Sequence, residues 1–117
     1  MRGDEKRVVD AFAAHLELDG WSVEYEVDQC DAVAKRGDQT LYAEAKGRTA
    51  AIGLDVDTMF GQLLRRMKQN PCPGDQYAAV LPSEAEAAAM RVPERVRRTL
   101  GIKVFLVSPE NEVREVN

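Results

Sequence analysis

Apolar positions along the chain follow two periods, and the switches between them outline the fold. Val8, Val9, Phe12 and Leu16 recur at helical spacing behind early acids, which predicts a helix over residues 5–19 stopped by Gly20. Trp21 then re-enters the core. From Ser22 to Val27 the period becomes two, with Val23, Tyr25 and Val27 on one face and Glu24 and Glu26 on the other. That is the pattern of a half-buried strand. A short strand over Asp31–Lys35 turns through Arg36-Gly37-Asp38 into a third, Thr40–Lys46, and the two form a hairpin. After a loop over residues 47–56, Phe60, Leu63, Leu64 and Met67 stand at i, i+3, i+4 and i+7, the buried stripe of a second helix. Asp57 is its expected N-cap, unless the helix starts a few residues earlier.

Asn70-Pro71-Cys72-Pro73-Gly74 breaks the pattern. Gln76–Leu81 is continuously apolar and reads as a central strand. Ser83 is expected to cap a short alanine-rich helix reaching about Met90, and another helix runs from about Pro93 to Leu100, ended by Gly101. Strands over Ile102–Val107 and Val113–Val116 complete the chain. With the two short helices counted as one, the order is α-β-β-β-α-β-α-β-β. A meander followed by β-α-β units implies an α/β domain spanning residues 1–117, with a mixed central sheet and helices on both faces.

Composition narrows the class. The chain has 117 residues, enough for one core, and its 44% hydrophobic and 31% charged content excludes wholesale disorder. No apolar run approaches the roughly 20 residues of a membrane helix. The start, Met-Arg-Gly-Asp-Glu-Lys-Arg, lacks the apolar core of a secretion signal, so a soluble cytoplasmic protein is expected. Cys30 and Cys72 form no CxxC pattern and His15 is the sole histidine, which argues against a zinc site and for two reduced thiols. His15 belongs on the polar or boundary face of the first helix.

The net charge of −4 at first argues against a nucleic-acid partner, but its distribution is uneven. Residues 1–60 hold 13 acids and 7 bases, a net −6; residues 61–117 hold 7 acids and 9 bases, a net +2. Carboxylates gathered in one half beside a basic second half suit a cation site next to a phosphate-binding surface.

The chemistry centres on Leu-Tyr-Ala-Glu-Ala-Lys-Gly-Arg-Thr, residues 41–49. Glu44 and Lys46 are two apart on a strand and share a face. The bare acid-x-Lys triplet carries no information, because about 0.8 copies are expected by chance in this composition. Asp4-Glu5-Lys6 is such a copy. The second triplet differs because it ends a strand, and Asp31 opens the preceding strand of the same hairpin. Asp31, Glu44 and the backbone carbonyl of Ala45 are hard oxygen donors suited to Mg2+ or Mn2+. Such an ion lowers the pKa of a bound water, and Lys46 can stabilise the charge that develops. Glu5 would add a carboxylate if the first helix packs at that end.

Asp31…Glu44-Ala45-Lys46, with a helix carrying Glu5 before it and one carrying Gln62 after it, resembles the PD-(D/E)XK nuclease superfamily. That group includes restriction endonucleases, archaeal-type Holliday-junction resolvases and RecB-like exonucleases. The resemblance covers residues 5–81 and the order α-β-β-β-α-β; the proline that precedes the aspartate in the motif is Cys30 here. It implies a restriction endonuclease-like fold and a Mg2+-dependent (or Mn2+-dependent) deoxyribonuclease, an endonuclease rather than an exonuclease, with no organic cofactor. It further implies that Asp31 and Glu44 hold the metal, that Lys46 assists the attacking water, and that Gln62, in Gly61-Gln62-Leu63-Leu64-Arg65-Arg66, touches the site. Arg48, Arg65, Arg66 and Lys68 are the expected contacts to DNA phosphates, and the small chain is expected to act as a homodimer. Arg95, Arg97 and Arg98 read as an exposed helix face. Two alternatives stand beside this reading: a catalytically silent module of the same fold that binds DNA or a protein partner, and an unrelated α/β interaction domain.

Overall fold

A computed structural model describes residues 3–28, 30–67 and 72–116. Helix α1 (Gly3–Leu18) leads into the meander β1 (Ser22–Val27), β2 (Cys30–Arg36) and β3 (Gln39–Ala45). Helix α2 (Ile52–Arg66) crosses to β4 (Asp75–Pro82). A 3-10 turn (Ser83–Ala85) and helices α3 (Glu86–Ala89) and α4 (Glu94–Leu100) cross to β5 (Ile102–Val107), which turns back into β6 (Val113–Val116).

All six strands join one sheet in chain order, β1-β2-β3-β4-β5-β6. The β1–β2, β2–β3 and β5–β6 pairs are antiparallel; β3–β4 and β4–β5 are parallel. Each parallel pair needs a crossover, and α2 and the α3–α4 segment supply them. Both crossovers advance in the same direction across the sheet, so a single handedness puts them on one face. Val56, Met59, Phe60 and Leu63 of α2 accordingly share a core with Ala85, Ala89, Val33, Tyr42 and Tyr77. The opposite face is covered by α1, whose Val8, Val9, Phe12 and Leu16 pack on Ala32, Ala34, Leu41, Ala43, Ala45 and Ala78. The run of alanines on that face lets the helix lie close, and Phe12 reaches across to Phe105 at 4.9 Å between ring centroids.

The coarse architecture is the expected one, a mixed sheet flanked by helices, and several details differ. Helix α2 takes the earlier start that the sequence leaves open, at Ile52, so Asp57 is not its N-cap and no side chain caps it. Asp57 lies within the helix and pairs with Arg91 at 3.6 Å. The helical face extends back through Val56, which is fully buried, so apolar burial overrides the capping signal. Leu64, expected in the buried stripe, is 47% exposed, because Leu63 already fills the helix–sheet contact. Ser83 caps nothing; Pro82 holds the N-cap place of the 3-10 turn, and only Glu86–Ala89 is α-helical there. β1 is an edge strand whose Tyr25 is 46% exposed and whose Glu26 has φ 54, so its alternation does not bury a full face. Arg97, expected on an exposed helix face, is 4% exposed. Its Nε donates to the Val92 carbonyl at 3.0 Å and one terminal nitrogen to the Met90 sulfur at 3.6 Å, tying α4 to the chain before it. Among the described residues, no helix is long and apolar enough to cross a membrane.

Candidate functional site

The β2–β3 register runs from Arg36↔Gln39 to Ala32↔Ala43. One step further, the same antiparallel register sets Asp31 opposite Glu44. Glu44 follows Tyr42 onto the α2-facing side of the sheet, while Leu41, Ala43 and Ala45 face α1. The ladder ends here because the Asp31 side chain takes over: its Oδ2 accepts the Ala45 N–H at 2.7 Å. On the other side the Lys46 N–H donates to the Val80 carbonyl at 3.0 Å, which holds the end of β3 against β4.

Glu44 is one of two buried charged residues among those described, at 5% exposure. Its pKa is pushed up to about 7, first by burial, then by the Asp31 charge and a hydrogen bond with the Asp31 carboxylate; Arg66 and Lys46 act in the opposite sense. Two carboxylates in contact cannot both ionise cheaply, so near neutrality the pair holds a proton. The Arg66 Nε lies 3.4 Å from Glu44 Oε1. The geometry gives Oε1 an ion pair but no hydrogen bond, and the atom is buried without a hydrogen-bond partner. A buried carboxylate oxygen left in that state is costly unless a cation completes it.

Helix α1 brings Glu5 to the same end. A Cβ on Gly47 would lie 2.5 Å from the Glu5 backbone nitrogen and 2.8 Å from the Asp4 carbonyl carbon, so only glycine admits the helix there. The contact is latched by Asp4, whose carboxylate accepts the Arg48 N–H at 2.5 Å and the Arg7 Nε at 2.8 Å. Those two bonds hold the Asp4 pKa below the usual carboxylate value. The Glu5 pKa is raised, first by burial and then by the Asp31 charge, with Lys46 opposing; these influences tie Glu5 to the Asp31–Lys46 end of the sheet. Cys30, next to Asp31, is a buried free thiol pushed up to about 11 by burial and the Glu44 charge, so it is a neutral wall and no nucleophile at physiological pH.

The remaining candidates separate. Gln62 is half-buried one turn before Arg66 on α2, and Arg66 is an α2 side chain that pairs with Glu44. The sequence assigns Arg66 to phosphate contact and gives no sign that it reaches Glu44, because that depends on how far α2 extends past Glu44. Arg65 is exposed. Arg48 is exposed and its Nε pairs with Glu84 at 3.2 Å. Lys68 lies outside the described residues. Among the described residues, no three His, Cys, Asp or Glu side chains converge as a metal cage. Any cation on Asp31 and Glu44 would therefore need backbone, water or substrate oxygens as well, as Mg2+ commonly does.

No protein-family model matches the chain, and no curated protein matches it.

Proposed function

We propose that the chain is a divalent-metal-dependent deoxyribonuclease of the restriction endonuclease-like, PD-(D/E)XK type. The observation that carries the reading is the Asp31–Glu44 pair: two cross-strand carboxylates, one with a buried oxygen lacking a hydrogen bond, within reach of the Lys46 charge. That donor set fits a hard cation. Asp31, Glu44 and the Ala45 carbonyl would hold Mg2+ or Mn2+, which supplies charge against the phosphate and acidifies a water. Lys46, whose charge reaches Glu44 and Glu5, would orient the attacking water and offset charge developing on the phosphate. Glu5, held by the Gly47 contact, adds negative charge from the α1 side. Helix α2 covers that face of the sheet through Met59 and Leu63, and Glu44 is buried there. Arg48 and Arg65 flank the site as phosphate contacts. Cutting both strands of a duplex needs two such pairs, so the reading includes a second copy of the chain.

One observation favours a second reading. Glu44 is engaged by Arg66, as in a site that has given up metal chemistry and kept a DNA-binding or partner-binding surface. Labelled duplex, junction, flap and single-stranded DNAs incubated with Mg2+ or Mn2+ separate the two. The nuclease reading expects cutting by the wild type that falls by about two to four orders of magnitude in Lys46→Ala. DNA binding with no cutting under either ion would instead establish the silent module.

A further inference from the structure

Two features of Arg66 pull in different directions. Its position in the last turn of α2 suits a phosphate contact, yet its Nε lies 3.4 Å from Glu44 Oε1, with its side chain 22% exposed. Glu44 Oε1 is also the oxygen that has no hydrogen bond and is buried from solvent. A guanidinium and a divalent ion cannot both take the open side of that oxygen without bringing two cations together in a site of low dielectric. The Arg66–Glu44 contact is long and lacks hydrogen-bond geometry, so Oε1 itself gives up no directional bond when a cation replaces the guanidinium.

We propose that Arg66 is a placeholder for the metal: its guanidinium neutralises Glu44 in the metal-free protein, is displaced when a divalent cation takes Oε1, and then meets a phosphate of the nucleic acid. The inference rests on the metal-site reading of Asp31 and Glu44. It makes Arg66 a positioning residue that couples metal arrival to DNA grip. The free protein keeps its cation folded inward, and the metal-loaded protein turns it outward. A side chain in the last turn of a helix can make that change by rotamer alone, without moving the backbone.

The coupling is read from metal affinity and DNA grip together, because a guanidinium that stayed on Glu44 would repel the metal but contribute no DNA contact. If the inward pair occupies about nine-tenths of molecules, it weakens apparent metal affinity about tenfold, and removing the guanidinium restores it. The test is calorimetric titration of Mn2+ into the DNA-free wild type, Arg66→Met and Glu44→Gln at pH 8.5, with Arg66→Gln as a second variant should Arg66→Met fail to fold. The expected result is Mn2+ binding about tenfold tighter in Arg66→Met than in wild type, with weaker binding of DNA in Ca2+. Mn2+ binding that requires Glu44 but is equal or weaker in Arg66→Met overturns the placeholder and leaves the metal site standing. No Mn2+ binding by any of the proteins, or binding unaffected by Glu44→Gln, overturns the metal site and the placeholder with it.

Discussion

Glu44 is a residue whose ionised form is costly to the fold. Burial and the Asp31 carboxylate raise its pKa from 4.5 to about 7. The sign follows from linkage: a raised folded-state pKa gives stability that is fully present below the unfolded value and is lost as pH rises through the folded one. Between about pH 4.5 and 7 this group therefore lowers stability, by on the order of 2 kcal/mol in the absence of a cation. Glu44→Gln removes the ionisation and keeps the shape. Urea unfolding at pH 5 and pH 8 should show the variant gaining on wild type by about that amount at the higher pH, while its cleavage is lost. Equal pH profiles for the two proteins would mean that Glu44 is ionised at no cost, and that the pair is not the electrostatic centre argued above. Stability withheld at one residue and regained by a ligand is a common mark of a binding site.

At the scale of elements, the site depends on a contact between backbones. The N-terminus of α1 meets the chain after β3 at Gly47, and Asp4 latches it through the Arg48 N–H. Gly47→Ala puts a methyl group against main-chain atoms, which cannot rotate away, so α1 must retreat and take Glu5 with it. A loss of about 1–3 kcal/mol is expected, together with reduced cleavage, in thermal melts and the DNA assay run side by side. A variant that melts with wild type would show that α1 yields freely and that Glu5 is not held. This contact was not legible in the sequence, where Gly47 reads only as the end of a strand. The hairpin was legible, since Asp31 and Glu44 fall opposite each other once the Arg36-Gly37-Asp38 turn fixes the register. The start of α2 was not, because Asp57 imitates a cap while Val56 is drawn into the core. Arg97 was misplaced for a related reason: its charge predicts exposure, and only the Val92 carbonyl and the Met90 sulfur explain its burial. Pattern reveals faces and periods; which polar group a face will satisfy depends on neighbours brought in by tertiary structure.

For the whole molecule, the issue is how a chain of net charge −4 would hold a polyanion. The proposed answer is local: Arg48, Arg65 and Arg66 supply the phosphate contacts, although Glu84 pairs with Arg48 and Asp4 and Glu5 lie at the same end of the sheet. Three phosphate contacts predict a slope of about −3 in the logarithm of the DNA-binding constant against the logarithm of salt concentration. Fluorescence anisotropy with the Lys46→Ala protein and a labelled duplex in Ca2+ reads this directly. A slope near zero would remove the phosphate surface from the account, whatever the carboxylates do.

The sheet adds each strand beside the one made just before it. Every ladder thus closes over a tight turn or a single helical crossover, and no strand waits for a distant partner. Loop closure is cheap at each step, so the topology is one that folds quickly for a mixed sheet and can be laid down as the chain leaves the ribosome. Asp31 and Glu44 sit on consecutive strands, and the helix that carries Arg66 follows them directly in the chain. The counter-charge to Glu44 thus comes from the next element in the chain, so the carboxylate and its guanidinium are joined by local connections.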